Sequence, residues 1–278
     1  MNATSFQLSD SEFRAIRDLV HARFAISLTE QKRSLITGRL SGLLRKHNLS
    51  NFKDFYKLVV EDRTGETLGQ LIDRISTNHT FFYRESEHFE FFAEHVIKPM
   101  LKPDRTFLET PRIWDAGCSS GEEPYTLAML LAEASPSILG SSTPLILATD
   151  ISAQALSKAT SARYGSENAQ RLPAVLKKKY LHPDGDGMVK IDPNIQKLVL
   201  YRRLNLTRDT FPFKARFHTI FCRNVMIYFE PDFRLKLVSK FMEWLVPGGY
   251  LFIGHSESLG RAMPDLKYIK PAVYRKVD

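Results

Sequence analysis

From Arg112 onward the chain alternates short apolar runs with amphipathic stretches, and this alternation restricts the fold more than any other feature. Ile113-Trp114 begins the first apolar run. Pro144 to Asp150, Leu198 to Tyr201, Thr219 to Cys222, Tyr250 to Gly254 and Ala272 to Arg275 supply the others. Runs this short read as buried strands. Glu123 to Ala134, Ala153 to Ala162 and Asp232 to Leu245 instead carry helical spacing, the last closed by Pro247-Gly248-Gly249. Strands alternating with helices imply a mostly parallel sheet covered on both faces. One stretch departs from the alternation. Turn residues at Asp184-Gly-Asp-Gly187, the run Met188 to Ile191, a turn at Asp192-Pro193-Asn194 and the run Ile195 to Tyr201 predict an inserted antiparallel β-ribbon at about 183–203.

Residues 1–76 are different in kind. Ser9 or Asp10 caps a helix whose apolar residues Phe13, Ile16, Leu19 and Val20 recur every three or four positions. A second helix starts after Thr29 and stops at His47-Asn48; Leu49 to Val60 and Thr67 to Ile75 read as two shorter ones. The expected organisation is a helical domain over 1–76 and an α/β domain over 77–278, which suits 278 residues at roughly 150 per domain. Acidic residues interrupt the N-terminal stretch where a signal peptide needs an apolar core, and Pro136, Gly140 and Pro144 break the longest uncharged stretch. Cys118 and Cys222 are too few for a disulfide framework. These features predict a soluble cytoplasmic protein without direct membrane insertion. Its net charge, 39 − 31 = +8, permits acidic, nucleic-acid or membrane-surface partners without choosing among them.

The sharpest motif is Ile113-Trp-Asp-Ala-Gly-Cys-Ser-Ser-Gly-Glu-Glu-Pro-Tyr125. Gly117 and Gly121 fall where a strand turns into a helix, the point at which an α/β sheet lets a ligand approach the backbone. Glu122 and Glu123 follow at once and repel a pyrophosphate at that helix start. A cationic, phosphate-free ligand such as S-adenosylmethionine fits better, with its sulfonium, amino group and ribose. Standing alone, the motif reads as a tight strand-to-helix turn with a solvated acid pair. Asp150 ends the next strand, where it can accept ribose hydroxyls or cap the following helix; Asn205 can meet an adenine edge or form a turn, with Leu206 packing on the adenine face. In Asn78-His-Thr-Phe-Phe-Tyr-Arg-Glu85, polar Asn78, Thr80 and Arg84 flank an aromatic run, which suits either a cleft wall or a domain-junction core.

Other chemistries find less support. His255-Ser256-Glu257 holds triad residue types, but strand neighbours face opposite ways. Asp184-x-Asp186 begins like a calcium loop, yet its fifth and twelfth positions are Met188 and Ile195. No P-loop motif is present. No ligand spacing stands out among the eight histidines, so no metal is expected.

With Asn78 to Glu85, Ser119-Ser-Gly-Glu-Glu-Pro-Tyr125, Cys222-Arg-Asn-Val-Met-Ile-Tyr-Phe229 and Pro247-Gly-Gly-Tyr-Leu-Phe-Ile-Gly-His-Ser-Glu257 in this order behind a helical domain, the chain resembles the bacterial chemotaxis receptor methyltransferases, the CheR family. The resemblance implies a class I, Rossmann-like methyltransferase fold and S-adenosylmethionine as methyl donor, with S-adenosylhomocysteine the product. It implies methyl esters on glutamates of chemoreceptor cytoplasmic helices, made by a monomer recruited to membrane receptor arrays. Carried over by motif, Asn78, Thr80, Arg84, Glu123, Asp150, Asn205, Leu206, Cys222 and Arg223 form the cofactor set, and Arg84 and Tyr228 stand nearest the methyl. In the second helix Lys32, Arg39 and Lys46 fall seven residues apart, with Arg33 and Arg45 nearby. This stripe reads either as a solvated face or, given the resemblance, as a docking surface for acidic receptor helices; nucleic acid is disfavoured because no aromatic platforms interleave with it. Some family members use a glycine-rich loop in the ribbon to grip a receptor tether. His182-Pro-Asp-Gly-Asp-Gly-Met188 does not match that loop, which points to a tether-independent enzyme.

Overall fold

The computed structural model describes residues 6–76, 78–259 and 263–277. Four helices open it. In α1 (Asp10–Phe24) Ser9 and Glu12 form a reciprocal capping box, and Phe13, Ile16, Val20 and Phe24 face inward. A short 3-10 turn, Glu30–Lys32, leads into α2 (Arg33–Lys46); α3 (Phe52–Glu61) starts at an Asn51 cap and α4 (Glu66–Ile75) closes the group. These helices pack Phe13, Leu40, Leu44, Phe52, Phe55 and Leu71 into a core of their own. After the Asn78–Glu85 segment, α5 (Ser86–Phe91) continues through a π-helical turn, Phe92–Ile97, into α6 (Lys98–Met100).

The α/β part then runs β1 (Ile113–Ala116), α7 (Glu122–Ala134), β2 (Ile146–Asp150), α8 (Ala153–Ser161), β3 (Arg163–Gly165), α9 (Ala174–Tyr180), β4 (Leu181–Pro183), β5 (Met188–Ile191), α10 (Pro193–Lys197), β6 (Val199–Arg203), β7 (Phe217–Cys222), α11 (Pro231–Trp244), β8 (Leu245–Ile253), β9 (Leu266–Lys270) and β10 (Val273–Lys276). Seven strands form one sheet in the order β6-β2-β1-β7-β8-β10-β9. The pairs from β6 to β8 are parallel, and β10 runs antiparallel to both β8 and β9. The chain leaves β1 toward β2 and β6 on one side and returns to β7 and β8 on the other. The crevice at that reversal is where open α/β sheets bind ligands. All four residues of β1 are buried, so both faces are covered. On one face Phe89, Phe92, Leu127, Phe221 and Phe252 cluster; on the other, Trp114 packs with Ile220, Phe241 and Leu251. The polar end of the Trp114 ring donates to Thr149 Oγ1 at 2.9 Å.

The parallel sheet, its flanking helices and the helical domain match the expected class. The inserted antiparallel element exists, but its strands differ from the expected ribbon over 183–203. Asp192 accepts the Asn194 N–H at 2.8 Å and Pro193 occupies the first turn, so Asp-Pro starts helix α10 where a hairpin turn was expected. The following run, with Leu198 and Val199 buried, joins the main sheet beside β2. Met188–Ile191 pairs instead with Arg163–Gly165 and Leu181–Pro183, giving a three-stranded sheet in the order β3-β5-β4. Pro247-Gly248-Gly249 lies inside β8, because α11 passes straight into that strand. Among the described residues no helix is long and apolar enough to cross a membrane.

The helical domain sits on the sheet's ligand-binding edge. The Asn205 side chain donates to the Arg23 carbonyl at 2.9 Å, Ser27 N donates to the Tyr228 carbonyl at 2.9 Å, and Ile26 forms an antiparallel bridge with Phe229.

Candidate functional site

Between the helical domain and the carboxyl ends of β1, β2, β6 and β7 lies a cleft. Asn78, Thr80, Arg84, Glu123, Asp150, Asn205, Leu206, Arg223 and Tyr228 line it, together with Lys32 and Arg39 from the helical side. The first sheet loop is built for close approach. Gly117 has φ +102°, and a Cβ there would lie 2.3 Å from Val225 Cγ2; Gly121 has φ +94° and meets the Tyr164 and Tyr201 hydroxyls. Four residues with side chains also adopt left-handed backbone around the cleft, namely Tyr83, Glu85, Ser119 and Asn224. Such conformations persist only where surrounding contacts impose them.

Those contacts are identifiable. Asp150 accepts the Ser119 N–H at 2.8 Å on one oxygen and the Ser152 N–H at 2.9 Å on the other, fixing the loops after β1 and β2 together. Ser152, and not Asp150, caps α8. Burial raises the Asp150 carboxyl, opposed by its backbone hydrogen bonds. Each carboxylate oxygen has further acceptor capacity toward the cleft. The two acids after Gly121 are no solvated pair. Glu122 is buried and accepts from Ser120 Oγ at 2.7 Å, while Glu123 forms an ion pair with Arg223.

Arg223 is the hub of the wall. Its side chain is only 1% exposed; it pairs with Glu123, meets Glu85 at 3.0 Å and donates to the Arg84 carbonyl. It therefore clamps the Asn78–Glu85 segment onto α7. Asp115 lies beneath the same place, wholly buried, with Oδ2 lacking a partner. Burial, reinforced by the charge of Glu123, pushes its carboxyl well above the usual carboxylate range. Glu257 anchors the loop after β7 by accepting the Gly254, Asn224 and Ile227 N–H groups, the latter two at 3.1 Å. Sequence reasoning assigned no role to Asp115, Glu85 or Glu257. A lone acid inside an apolar run was the available signal for Asp115.

The remaining expectations divide. Arg84 is half-buried and donates to the His79 carbonyl at 2.9 Å. Lys32 Nζ lies 5.7 Å from the Tyr228 ring centroid. The Asn205 amide is occupied by the Arg23 carbonyl and by the Thr207 N–H, so it is both a turn residue and an interdomain tether. Leu206 supplies buried apolar wall. Cys222 does not line the cleft; its thiol packs in the core beside Trp114 and is pushed up by burial. The five basic residues expected to form a docking surface do not share one face. Lys32 and Arg39 enter the cleft, the latter donating to the Ile75 carbonyl at 3.0 Å. Arg33 instead pairs with Asp10 at 2.6 Å, Arg45 stands 5.9 Å over the Phe6 ring, and Lys46 is exposed.

Carboxylates, loop carbonyls and an apolar wall in one crevice suit a sulfonium, an ammonium and a ribose, so the donor set fits S-adenosylmethionine. Residues 78–274 match the family described as CheR methyltransferase, SAM binding domain, and residues 11–76 match its all-alpha domain. A chemotaxis protein methyltransferase of Borreliella burgdorferi is 40% identical over 98% of this chain and 96% of its own length. Chemotaxis protein methyltransferase 1 of Vibrio cholerae is 35% identical over 92% of each chain. The chemotaxis protein methyltransferase of Escherichia coli is 34% identical over 90% of this chain and 85% of its own. By this match across both domains, the chain belongs to the CheR methyltransferase family.

Proposed function

We propose that this protein is an S-adenosylmethionine-dependent protein-glutamate O-methyltransferase acting on chemoreceptor cytoplasmic helices during chemotaxis. The observation that carries the reading is the composition of the cleft. Glu123 and Asp150 furnish an acidic wall on the sheet side, and Lys32 and Arg39 furnish a basic wall on the helical side. The acidic wall suits a cationic donor, and the basic wall suits an acidic acceptor.

Bound there, S-adenosylmethionine supplies a sulfonium methyl for transfer to a carboxylate oxygen. A glutamate side chain has a reference pKa near 4.3, so at neutral pH the acceptor is already an anion and needs no general base. The protein's work is then alignment and exclusion of water. Arg84, steadied by the His79 carbonyl, orients the carboxylate from the Asn78–Glu85 side. Tyr228, whose carbonyl is tied to Ser27 and whose ring faces Lys32, shapes the methyl pocket. Asn78, Thr80, Glu123, Asp150, Leu206 and Arg223 hold the donor directly or through their neighbours. Lys46, on the outer surface of the helical domain, extends the basic path along which a receptor helix would lie.

Transfer of labelled methyl to receptor cytoplasmic fragments, followed by a mild-base wash, tests the proposal. Base-labile label on glutamate is expected. Base-stable label would place the methyl on nitrogen and reject this acceptor.

A further inference from the structure

Behind the cleft the fold assembles donor chemistry that sequence spacing does not disclose. Glu85, His88 and His255 bring one carboxylate oxygen and two imidazole nitrogens within 4.8 Å of one another. Glu85 and His88 lie three positions apart at the start of α5, and His255 arrives from the loop after β8. Their separation in the chain is why histidine spacing showed nothing.

His88 is completely buried and neither ring nitrogen makes a hydrogen bond, its Nδ1 standing 3.5 Å from Glu85 Oε2. A neutral imidazole carries one N–H and one lone pair, and leaving such groups unmet costs about 1–3 kcal/mol each. The His88 and His255 ring centroids lie 4.5 Å apart with the rings at 81°. Two imidazoles bound to one ion at about 2.0–2.1 Å per nitrogen, near a tetrahedral angle, place their centroids roughly 5 Å apart. The observed spacing is close to that value, so the two rings are near enough to share one ion. His255 is exposed, which provides an entry path. Two imidazoles and one carboxylate favour zinc over the oxygen-seeking magnesium and calcium ions.

We infer that Glu85, His88 and His255 form a zinc site whose occupation weakens S-adenosylmethionine binding. The coupling runs through Glu85. Its oxygens now accept from Arg223 Nη2 at 3.0 Å and from Asn224 Nδ2 at 3.2 Å. Zinc must compete with the guanidinium for that carboxylate, so the site is weak and suited to reversible occupation. When zinc wins, Arg223 loses one of the two acids between which it is stretched. The Asn78–Glu85 wall is then tied to Arg223, and through it to Glu123, by the Arg84 carbonyl alone.

The test uses the untagged full chain, with zinc chloride in equilibrium dialysis and S-adenosylmethionine affinity measured by calorimetry with and without zinc. A single zinc per chain is expected, with cobalt at the same site giving a visible absorption band. His255→Ala should weaken zinc binding by about tenfold or more. In that variant S-adenosylmethionine affinity should equal that of the unaltered chain and should no longer respond to zinc. His88→Gln, which keeps a polar side chain of similar reach, should also lose the cobalt band. No zinc uptake, uptake indifferent to His255→Ala, or uptake that leaves S-adenosylmethionine affinity unchanged would each overturn the inference.

Discussion

Tyr164 lets one buried hydroxyl be weighed against the order of the methyl-donor loop. It lies on β3 of the small antiparallel sheet, fully buried, and its hydroxyl donates to the Ser120 carbonyl at 2.6 Å. Its ring stands edge-on to Phe82 at 5.0 Å, and Phe82 N in turn donates to the Asn168 carbonyl at 3.2 Å. One ring thus joins the small sheet, the loop after β1 and the Asn78–Glu85 wall. Tyr164→Phe preserves the packing and removes the donor, leaving a buried carbonyl unmet at a cost of about 1–3 kcal/mol. If the loop holds its shape, that cost appears as lost stability. If the loop relaxes, binding must restore it, and every 1.4 kcal/mol raises the S-adenosylmethionine Kd about tenfold. The two losses, read from urea unfolding and calorimetry, should sum to about 1–3 kcal/mol. Turnover at saturating donor should be preserved. Gly121→Ala sharpens the test, since its Cβ would lie 2.8 Å from the Tyr164 hydroxyl at φ +94°. Combined with Tyr164→Phe it should cost less than the sum of the two single changes. Unchanged stability together with unchanged Kd for Tyr164→Phe would refute the reasoning.

Other perturbations separate the roles of neighbouring groups. The folded-state Asp115 carboxyl is raised above its unfolded value, so the folded chain keeps a proton that the unfolded chain has released. Its contribution is intact below the unfolded pKa, near 3.9, and stability falls as pH rises from there through the folded value. Asp115→Asn should flatten that fall in urea unfolding across pH, and an unaltered slope would remove Asp115 as its source. Arg223→Lys keeps the charge but cannot span Glu85, Glu123 and the Arg84 carbonyl together, so stability should drop by on the order of 3 kcal/mol. An unchanged midpoint would show that the clamp carries no stability. Lys46→Glu should raise the receptor KM about two- to fivefold with donor affinity constant, as expected for an exposed charge. An unmoved KM would take Lys46 off the docking path. Tyr228→Phe tests whether the hydroxyl contributes to transfer beyond the shape of the ring; unchanged turnover would confine its role to shape.

The parallel sheet was legible because its central strands are buried on both faces and so form largely apolar runs. β9, Leu266–Lys270, escaped notice because it is an outer strand carrying two lysines, with Tyr268 58% exposed. The inserted sheet was misread in its pairing. Strands of three or four residues do not encode which neighbour they choose, and Asp192-Pro193 serves a turn and a helix start equally well. In the cleft, residues lying within motifs were found, whereas Arg223 joins Glu85 across 138 positions, a relation set by tertiary folding alone. The basic stripe shows the same limit. Seven-residue spacing puts Lys32, Arg39 and Lys46 on one side of a helix, but it does not say that part of that side closes over a crevice.

The hydrogen bond from Asn205 to the Arg23 carbonyl spans 182 positions of the chain. A ribosome adding about 5–20 residues per second needs on the order of ten seconds or more to deliver the second partner after the first. Throughout that interval the four opening helices can bury their own apolar core, while Lys32, Arg39 and Ile26 face no sheet. β1 likewise waits for β7, its neighbour on one side, until some hundred residues later. The crevice is thus completed late in synthesis, and a nascent chain halted near β6 would display a folded helical cap over an unfinished floor, a target for chaperones that the finished molecule no longer presents.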